Sequence, residues 1–255
     1  MKVCVAISSH SPAFFTKMTV GTLLREVKNH DLNIHVGYHS NLSDYTQDLS
    51  LFELHKICQL HAVDEIDWYQ HNDDIYRYSK MHAKNLENIF KNIRYYDFDY
   101  LAILDNDLYI KGDFVSNIIE KFPGSDLIGS YFDDKFERHT LIDNWGNPVT
   151  FAPKCSVWNI FISRKMFDKI MEDTSVIWPK FIDGTFYDTL SEILKISEEW
   201  GMNRSIVTTE EMSTMIHHFF HSSFNYGIGM NKKPIDGPQE IWTREFPNGI
   251  NDIIK

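Results

Sequence analysis

The chain has 255 residues, of which 43% are hydrophobic and 24% are charged, and it carries a formal net charge of −11. These are the proportions of an ordinary globular protein, long enough for one large domain or two small ones. An acidic surface repels phosphate backbones, which disfavours nucleic acid as a partner but leaves room for a nucleotide in a local pocket. No apolar run reaches the roughly 20 residues that span a bilayer. We therefore predict a soluble, cytoplasmic protein.

Redox chemistry is not indicated. The three cysteines, Cys4, Cys58 and Cys155, are scattered and odd in number. They suit a reducing compartment, lack the spacing of a zinc site, and are predicted to be core residues.

The first half of the chain alternates between short apolar runs and segments with helical spacing. The predicted strands are Val3–Ser8, Asn33–Tyr38, Ile66–Gln70, Tyr100–Asp105 and Asp126–Phe132. The predicted helices between them are Thr16–Val27, Asp48–His61, Ser79–Ile93 and Asp113–Lys121. This alternation indicates parallel βαβ units and an α/β fold with a doubly wound, Rossmann-like, mostly parallel sheet.

The pattern changes after residue 134. Residues 135–155 are predicted to be a loop-rich excursion. The predicted elements after it are a strand at Val157–Ile162, helices at Arg164–Met171 and Phe186–Trp200, and a strand at Ser205–Thr208. We interpret this half as completing the same domain, so that residues 1–255 form a single unit.

Polar residues follow each of four predicted strands, at Ser8–His10, His39–Asn41, His71–Asp73 and Asp105–Asp107. In open parallel sheets, ligands bind beyond the carboxyl ends of the strands. The four segments together predict a site at one edge of the sheet. The alternative for any one of them is an ordinary polar turn.

Asp105-Asn106-Asp107 is the strongest of these signals. Two carboxylates at i and i+2 after a buried strand can reach one divalent cation, and Mg²⁺ and Mn²⁺ take oxygen ligands together with substrate phosphates. The alternative is an Asx-turn, in which these side chains bond only to nearby backbone.

The strand ending in Asp105-Asn106-Asp107, preceded by the basic segment 77–85 and followed near the C-terminus by His217-His218-Phe219-Phe220-His221, resembles the GT-A fold of nucleotide-sugar glycosyltransferases. The resemblance implies that Asp105 and Asp107 bind a metal ion. It also implies a third ligand from the histidine cluster; His221 is favoured over His217 and His218 because a glycine-rich stretch follows it. An imidazole ligand favours Mn²⁺ over Mg²⁺.

The same resemblance implies a donor site for a nucleoside-diphosphate sugar, with UDP as the expected nucleotide. The residues that it assigns to the donor are Ser8, Ser9, His10, Asn72, Asp73, Arg77, Lys84, Asn85, Asn106 and Lys232. Lys84 stands where the family usually has arginine. Residues 1–134 would then be the donor-binding half, and residues 135–255 the acceptor-side half with a C-terminal metal and diphosphate loop.

Residues 181–189 resemble acceptor-side segments of the same family, and the resemblance makes Asp188, with Asp183 as its competitor, the candidate for a catalytic carboxylate. The alternative for Asp188 is that it caps a helix. The acceptor itself stays open among a glycan, a protein side chain and a modified nucleobase, as does the choice between inversion and retention.

The predicted function is therefore a metal-dependent glycosyltransferase that moves a sugar to an acceptor hydroxyl. One alternative is a nucleotidyltransferase. The absence of glycine from the SSHSPAFFTK loop after the first strand counts against it, because such enzymes usually hold a triphosphate with a glycine-rich loop. The other alternative is a non-catalytic module that binds a sugar nucleotide.

Overall fold

A computed structural model describes residues 1–9, 13–39, 49–63, 77–130, 139–142, 148–155, 159–219 and 236–253. The strands in chain order are β1 (Lys2–Ser9), β2 (Asp31–His39), β3 (Gln59–Val63), β4 (Tyr100–Asp105), β5 (Leu108–Ile110), β6 (Leu127–Ser130), β7 (His139–Ile142), β8 (Pro148–Phe151), β9 (Ile160–Ser163), β10 (Lys180–Ile182), β11 (Thr185–Tyr187), β12 (Arg204–Val207) and β13 (Ile216–His218). The α-helices are α1 (Ala13–Glu26), α2 (Arg77–Ile93), α3 (Phe114–Lys121), α4 (Arg164–Glu172), α5 (Ile193–Glu199), α6 (Thr209–Met215) and α7 (Asp236–Glu245).

In the described part of the chain, seven strands form the central sheet, in the order β12-β6-β9-β4-β1-β2-β3. β9 runs antiparallel to both of its neighbours, β4 and β6, and the remaining strands are parallel to one another. The prediction of an α/β fold with a mostly parallel, Rossmann-like sheet is confirmed.

Helices cover both faces of this sheet, which explains why its strands are almost continuously apolar. Val3, Val5 and Ile7 of β1 point into the core beneath α1. Cys4 and Ala6 point to the opposite face, where α2 and α4 pack. The three cysteines are unpaired and buried, and burial raises the pKa of each thiol to about 12.

The sequence prediction was wrong in three segments. Residues 135–155 contain β7 and β8, which join β10 and β11 in a second, four-stranded sheet. The predicted helix Phe186–Trp200 begins as β11 and becomes helical only at Ile193, because Leu190 between them adopts a φ of 58°. The predicted helix Asp48–His61 is a 3₁₀ helix at Leu49–Lys56 followed by β3.

The third strand of the sheet in chain order is thus β3, which lies at one edge of the sheet. It pairs in parallel with β2 from His35↔Gln59 to His39↔Val63. The predicted strand Ile66–Gln70 lies outside the described residues. Helix α3 follows the prediction closely: Asp113 is its N-cap and accepts a hydrogen bond from the Ser116 N–H.

Among the described residues, no helix is both long enough and apolar enough to cross a membrane.

Candidate functional site

The carboxyl ends of β1 and β4 lie side by side at the point where the strand order reverses. From β1 the sheet continues through β2 and β3 in one direction, and β4 lies on the other side of β1. Ser8 is in register with Asp105 across this junction. Such a switch point opens a crevice where α/β proteins bind ligands.

Three side chains at this edge form a cluster that could hold a metal ion: Asp105, Asp107 and His218. One ligand atom from each lies within 4.8 Å of the other two. His218 Nε2 is 3.0 Å from Asp107 Oδ1 and 3.6 Å from Asp105 Oδ2. The side chain of His218 is 10% exposed, that of Asp107 is 3% exposed and that of Asp105 is 17% exposed, so the cluster is largely shielded from water.

His218 reaches the cluster because β13 pairs with β5. The two strands are antiparallel, and His218 lies opposite Leu108, the residue after Asp107. The Phe219 N–H donates to the Asp107 carbonyl oxygen at 3.1 Å, which extends this pairing by one residue. His217 is exposed and packs edge-on against Phe219. His221, the favoured ligand from sequence, lies outside the described residues.

The two acidic neighbours of His218 set the pKa of its imidazole. Burial lowers the pKa of the imidazole, but the hydrogen bond to Asp107 and the charges of Asp107 and Asp105 outweigh burial and raise it above its usual value. The acidic pair thus favours the protonated imidazole, whose proton must leave before the nitrogen can bind a metal ion. Two carboxylates and one imidazole are a donor set that suits Mn²⁺ and, less well, Mg²⁺.

Asn106 is turned away from the acidic pair and ties the loop to helix α1. Its side chain is fully buried, and Nδ2 donates to Thr16 Oγ1 at 3.3 Å. Thr19 Oγ1 donates to the Asn106 carbonyl oxygen at 2.8 Å and lies 2.9 Å from the Leu108 N–H. Thr22 accepts from the Ile110 N–H. The sequence signal was Thr16, Thr19 and Thr22 at a spacing of three, which places them on one helix face.

Asn85 holds the end of β1 from the other face of the sheet. Its Nδ2 donates to Ser8 Oγ at 3.1 Å and to the Ser9 carbonyl oxygen at 3.3 Å. Ser9 Oγ lies 2.6 Å from Thr16 Oγ1, so the end of β1 is fixed on both sides. Asn85 Oδ1 is buried and has no hydrogen-bond partner in the described part of the chain.

His82, one turn before Asn85 on α2, is a site residue that sequence reasoning missed. It is buried, and its Nε2 lies 3.9 Å from Asp105 Oδ1. Burial, together with the charge of Lys154, outweighs the opposing charge of Asp188 and lowers the pKa of His82 to about 4. The imidazole is therefore neutral at pH 7.

Asp188 forms a partly buried ion pair with Lys154, at 2.5 Å. Burial raises the pKa of the Asp188 carboxyl, but Lys154 and hydrogen bonds from Ser79 and Thr189 outweigh it and keep the pKa below its usual value. Asp188 is thus an anion held by a cation, in a loop rather than capping a long helix. Its catalytic role stays a prediction.

Asp183 occupies a tight turn between β10 and β11. Asp183 has a φ of 49° and Gly184 a φ of 73°, and Ile182 pairs with Thr185 across the turn. Asp-Gly is favoured where both central residues of a hairpin turn need positive φ. The turn accounts for these residue types, and a catalytic role of Asp183 also stays a prediction.

Six further residues were predicted to bind the donor, and the structure describes a side-chain contact for Lys84 alone among them. Lys84 Nζ lies 6.0 Å from the centre of the Trp178 ring, as a cation–π contact. The side chain of Arg77, at the start of α2, is not described. Four further predicted residues lie outside the described residues: His10, Asn72, Asp73 and Lys232.

Comparisons with known proteins give matches among solved structures. No protein-family model matches the chain, and no curated protein matches it. One solved structure is a 4-diphosphocytidyl-2C-methyl-D-erythritol synthase from Anaerococcus prevotii DSM 20548, with 10% identity, a TM-score of 0.43, and coverage of 81% of this chain and 86% of that chain. Another is an inositol-1-phosphate CTP transferase from T. maritima, with 10% identity, a TM-score of 0.44, and coverage of 82% and 85%. At this identity the similarity concerns the fold alone.

The predicted glycosyltransferase function is contradicted: the two solved structures are described as a 4-diphosphocytidyl-2C-methyl-D-erythritol synthase and an inositol-1-phosphate CTP transferase, and neither is described as a glycosyltransferase. The prediction of a UDP-sugar donor falls with that function. The nucleotidyltransferase alternative agrees better with the descriptions of the two structures. The reason for the error is chemical. A cation held by two acids at a strand end assists the departure of a phosphate group in both reactions, so the motif does not specify which bond breaks.

The absence of glycine from the loop after β1 was a weak reason to disfavour a nucleotidyltransferase. Every residue except proline offers a backbone N–H that can bind a phosphate oxygen. Glycine is needed only where the loop backbone requires positive φ or a very close approach.

Proposed function

We propose that the chain is a metal-dependent nucleotidyltransferase, which transfers a nucleoside monophosphate from a nucleoside triphosphate to an oxygen of an acceptor. The observation that carries the proposal is the Asp105–Asp107–His218 cluster at the switch point of the parallel sheet. The acidic pair repels a triphosphate unless a cation lies between them, which makes metal dependence part of the proposal.

Asp105, Asp107 and His218 would hold the cation. When bound, a divalent cation supplies Lewis-acid stabilisation of charge on the phosphate oxygens. The transfer consists of attack by the acceptor oxygen on the α-phosphorus and cleavage of the bond from that phosphorus to the bridging oxygen. Pyrophosphate leaves with the bonding electron pair.

Other residues of this edge would position the nucleotide. The buried Asn85 Oδ1 has no hydrogen-bond partner among the described residues, and it can accept a hydrogen bond from a base or ribose. The network of Asn106, Thr16 and Thr19 fixes the acidic loop. A site fixed before the ligand binds loses less entropy on binding.

The test is release of pyrophosphate by the full chain with Mn²⁺ or Mg²⁺. CTP with inositol 1-phosphate is the first pair to supply, since the T. maritima protein is described as a transferase of these compounds. UTP, ATP and GTP, each with a panel of phosphorylated polyols, follow. We expect metal-dependent pyrophosphate release with one nucleotide preferred, and loss of at least about 100-fold in Asp107→Asn, because removing a stabilising charge at the reacting centre costs roughly this factor.

Asp168→Asn is the matched control, because Asp168 is exposed on α4 and pairs only with Arg164 in the described structure. Equal activity in Asp107→Asn and Asp168→Asn would contradict the proposal. So would metal-dependent nucleotide binding without pyrophosphate from any acceptor, which would favour a non-catalytic binding module.

A further inference from the structure

Asp105 presents its two carboxylate oxygens to two different imidazoles. Oδ2 lies 3.6 Å from His218 Nε2, and Oδ1 lies 3.9 Å from His82 Nε2. The two imidazoles come from different elements, β13 and α2, so Asp105 stands between the two faces of the site. His82 lies outside the three-residue cluster that contains Asp107 and His218.

The distance from His82 to Asp105 suits two ligands of a shared cation. At 3.9 Å it is longer than a hydrogen bond. Two atoms that each lie roughly 2.1 Å from one ion at neighbouring octahedral positions are about 3.0 Å apart. His82 and Asp105 are thus close enough to bind the same ion after a small rotation of either side chain.

Helix α2 is anchored so that His82 keeps this position. Thr189 Oγ1 donates to the Ser79 carbonyl oxygen at 2.7 Å, and Ser79 donates from its side chain to Asp188. Asp188 is itself held by Lys154. The first turn of α2 is therefore fixed to the loop after β11, and His82 follows one turn later.

We propose that a second divalent cation binds between Asp105 Oδ1 and His82 Nε2, with Asp105 bridging it to the cation held by Asp107 and His218. Paired sites of this kind hold their ions roughly 3.5–4 Å apart on either side of the reacting phosphate. Phosphate oxygens of the substrate would fill the remaining positions, and this part of the inference rests on the proposed function.

Two protein ligands make the second position weak by itself, because Mg²⁺ and Mn²⁺ bound by so few side chains depend on phosphate for occupancy. Inorganic pyrophosphate should therefore strengthen binding of the second ion more than that of the first. The probes are Mn²⁺ alone and Mn²⁺ with inorganic pyrophosphate.

The experiment counts bound Mn²⁺ on the full chain by electron paramagnetic resonance, and looks for the exchange coupling that two Mn²⁺ ions share when a carboxylate bridges them. We expect two classes of site with pyrophosphate present, and a coupled spectrum. His82→Gln should weaken the second class by about 10- to 100-fold and abolish the coupling, while the first class remains. His218→Gln should weaken the first class, and His217→Gln, which alters the exposed neighbour, should change neither.

One bound Mn²⁺ with an uncoupled spectrum in the wild-type chain would overturn the inference, as would an unchanged coupling in His82→Gln. If His82→Gln fails to fold, the wild-type spectrum decides. The result of this experiment can be distinguished from the result of the pyrophosphate-release test. Coupled Mn²⁺ ions without pyrophosphate release would leave the two-ion site standing, and pyrophosphate release with a single bound ion would leave the function standing.

Discussion

The three residues of Asp105-Asn106-Asp107 have three different surroundings. Asp107 is almost fully buried beside His218, Asp105 is partly open and faces two imidazoles, and Asn106 is buried against α1. The spacing of two keeps both acids on one side of the turn and sends the middle residue to the other. Asparagine at the centre thus fixes the loop that positions the acids.

A second buried histidine, His35 of β2, makes stability depend on pH. Its Nδ1 lies 2.9 Å from His61 Nε2 of β3, and the two rings stack. Burial, with a smaller contribution from His61, lowers the pKa of His35 to about 4, and burial also lowers the pKa of His61. The hydrogen bond requires at least one neutral ring, and the lowered pKa values make both rings neutral at pH 7.

We predict that the free energy of unfolding falls as the pH drops from about 6.5 towards 4. The unfolded chain binds protons on these histidines in that range and the folded chain does not, so acid favours unfolding. His35 alone contributes a loss of up to about 3 kcal/mol at pH 4, at about 1.4 kcal/mol for each unit of pKa difference. Urea unfolding of the wild type and of His35→Gln at several pH values measures this loss of stability.

The variant should be less stable than the wild type at pH 7 and should lose less stability on acidification. His55→Gln is the control, because His55 is exposed. Parallel curves for the wild type and His35→Gln between pH 6.5 and 4 would contradict this prediction.

At the scale of elements, helix α1 and strand β13 build the site from opposite sides. The threonines of α1 take the place of a strand neighbour for β5, since Thr19 and Thr22 accept from its Leu108 and Ile110 N–H groups. Strand β13 pairs with the other edge of β5 and brings His218.

We predict that Thr19→Val destabilises the fold by about 1–3 kcal/mol, because it leaves the buried Leu108 N–H and Asn106 carbonyl groups without their partner. The loop that carries Asp107 should loosen, so Mn²⁺ affinity should fall as well. Thermal unfolding and Mn²⁺ titration measure the two effects. Thr214→Val, on the exposed face of α6, is the matched control and should change neither. Equal stability and Mn²⁺ affinity in both variants would contradict the role assigned to Thr19.

At the scale of the whole molecule, the C-terminal helix α7 closes against α1 and β5. Glu245 of α7 accepts hydrogen bonds from Arg25 of α1 and from Tyr109 of β5. Gly21 of α1 faces the C-terminal segment: a Cβ there would be 2.9 Å from the side chain of Ile253, after α7, and 3.1 Å from that of Trp242 on α7. An added side chain at this position would require the side chains of Ile253 and Trp242 to shift.

We predict that Glu245→Gln lowers the free energy of unfolding by about 1 kcal/mol at low ionic strength. The guanidinium of Arg25 is partly exposed, so solvent screens the ion pair and limits its contribution to stability. The difference should shrink in 1 M salt. Glu210→Gln, an exposed change on α6, is the control, and urea unfolding measures both. A loss of several kcal/mol that salt does not reduce would instead indicate that packing of α7 is disrupted.

Much of the fold and part of the candidate site could be predicted from sequence. The apolar runs of β1, β2 and β4 and the helical spacing of α1 and α2 are local patterns, and each is repeated in the structure to within a few residues. The acids at the end of β4 were found because residue type and strand end are both visible in the sequence. Strands β7, β8 and β11 were missed, since short strands gain their stability from partners distant in the chain.

The sequence by itself determined the alternation of strands and helices, the mostly parallel sheet and the acidic strand end, because periodicity and apolar runs act over neighbouring residues. Only the tertiary structure decided which histidine stands beside Asp107, because the pairing of β13 with β5 spans more than 100 residues. It also brought His82 to Asp105 through the packing of α2 on the sheet. Contacts of this kind depend on how elements pack, and a one-dimensional pattern does not contain that information.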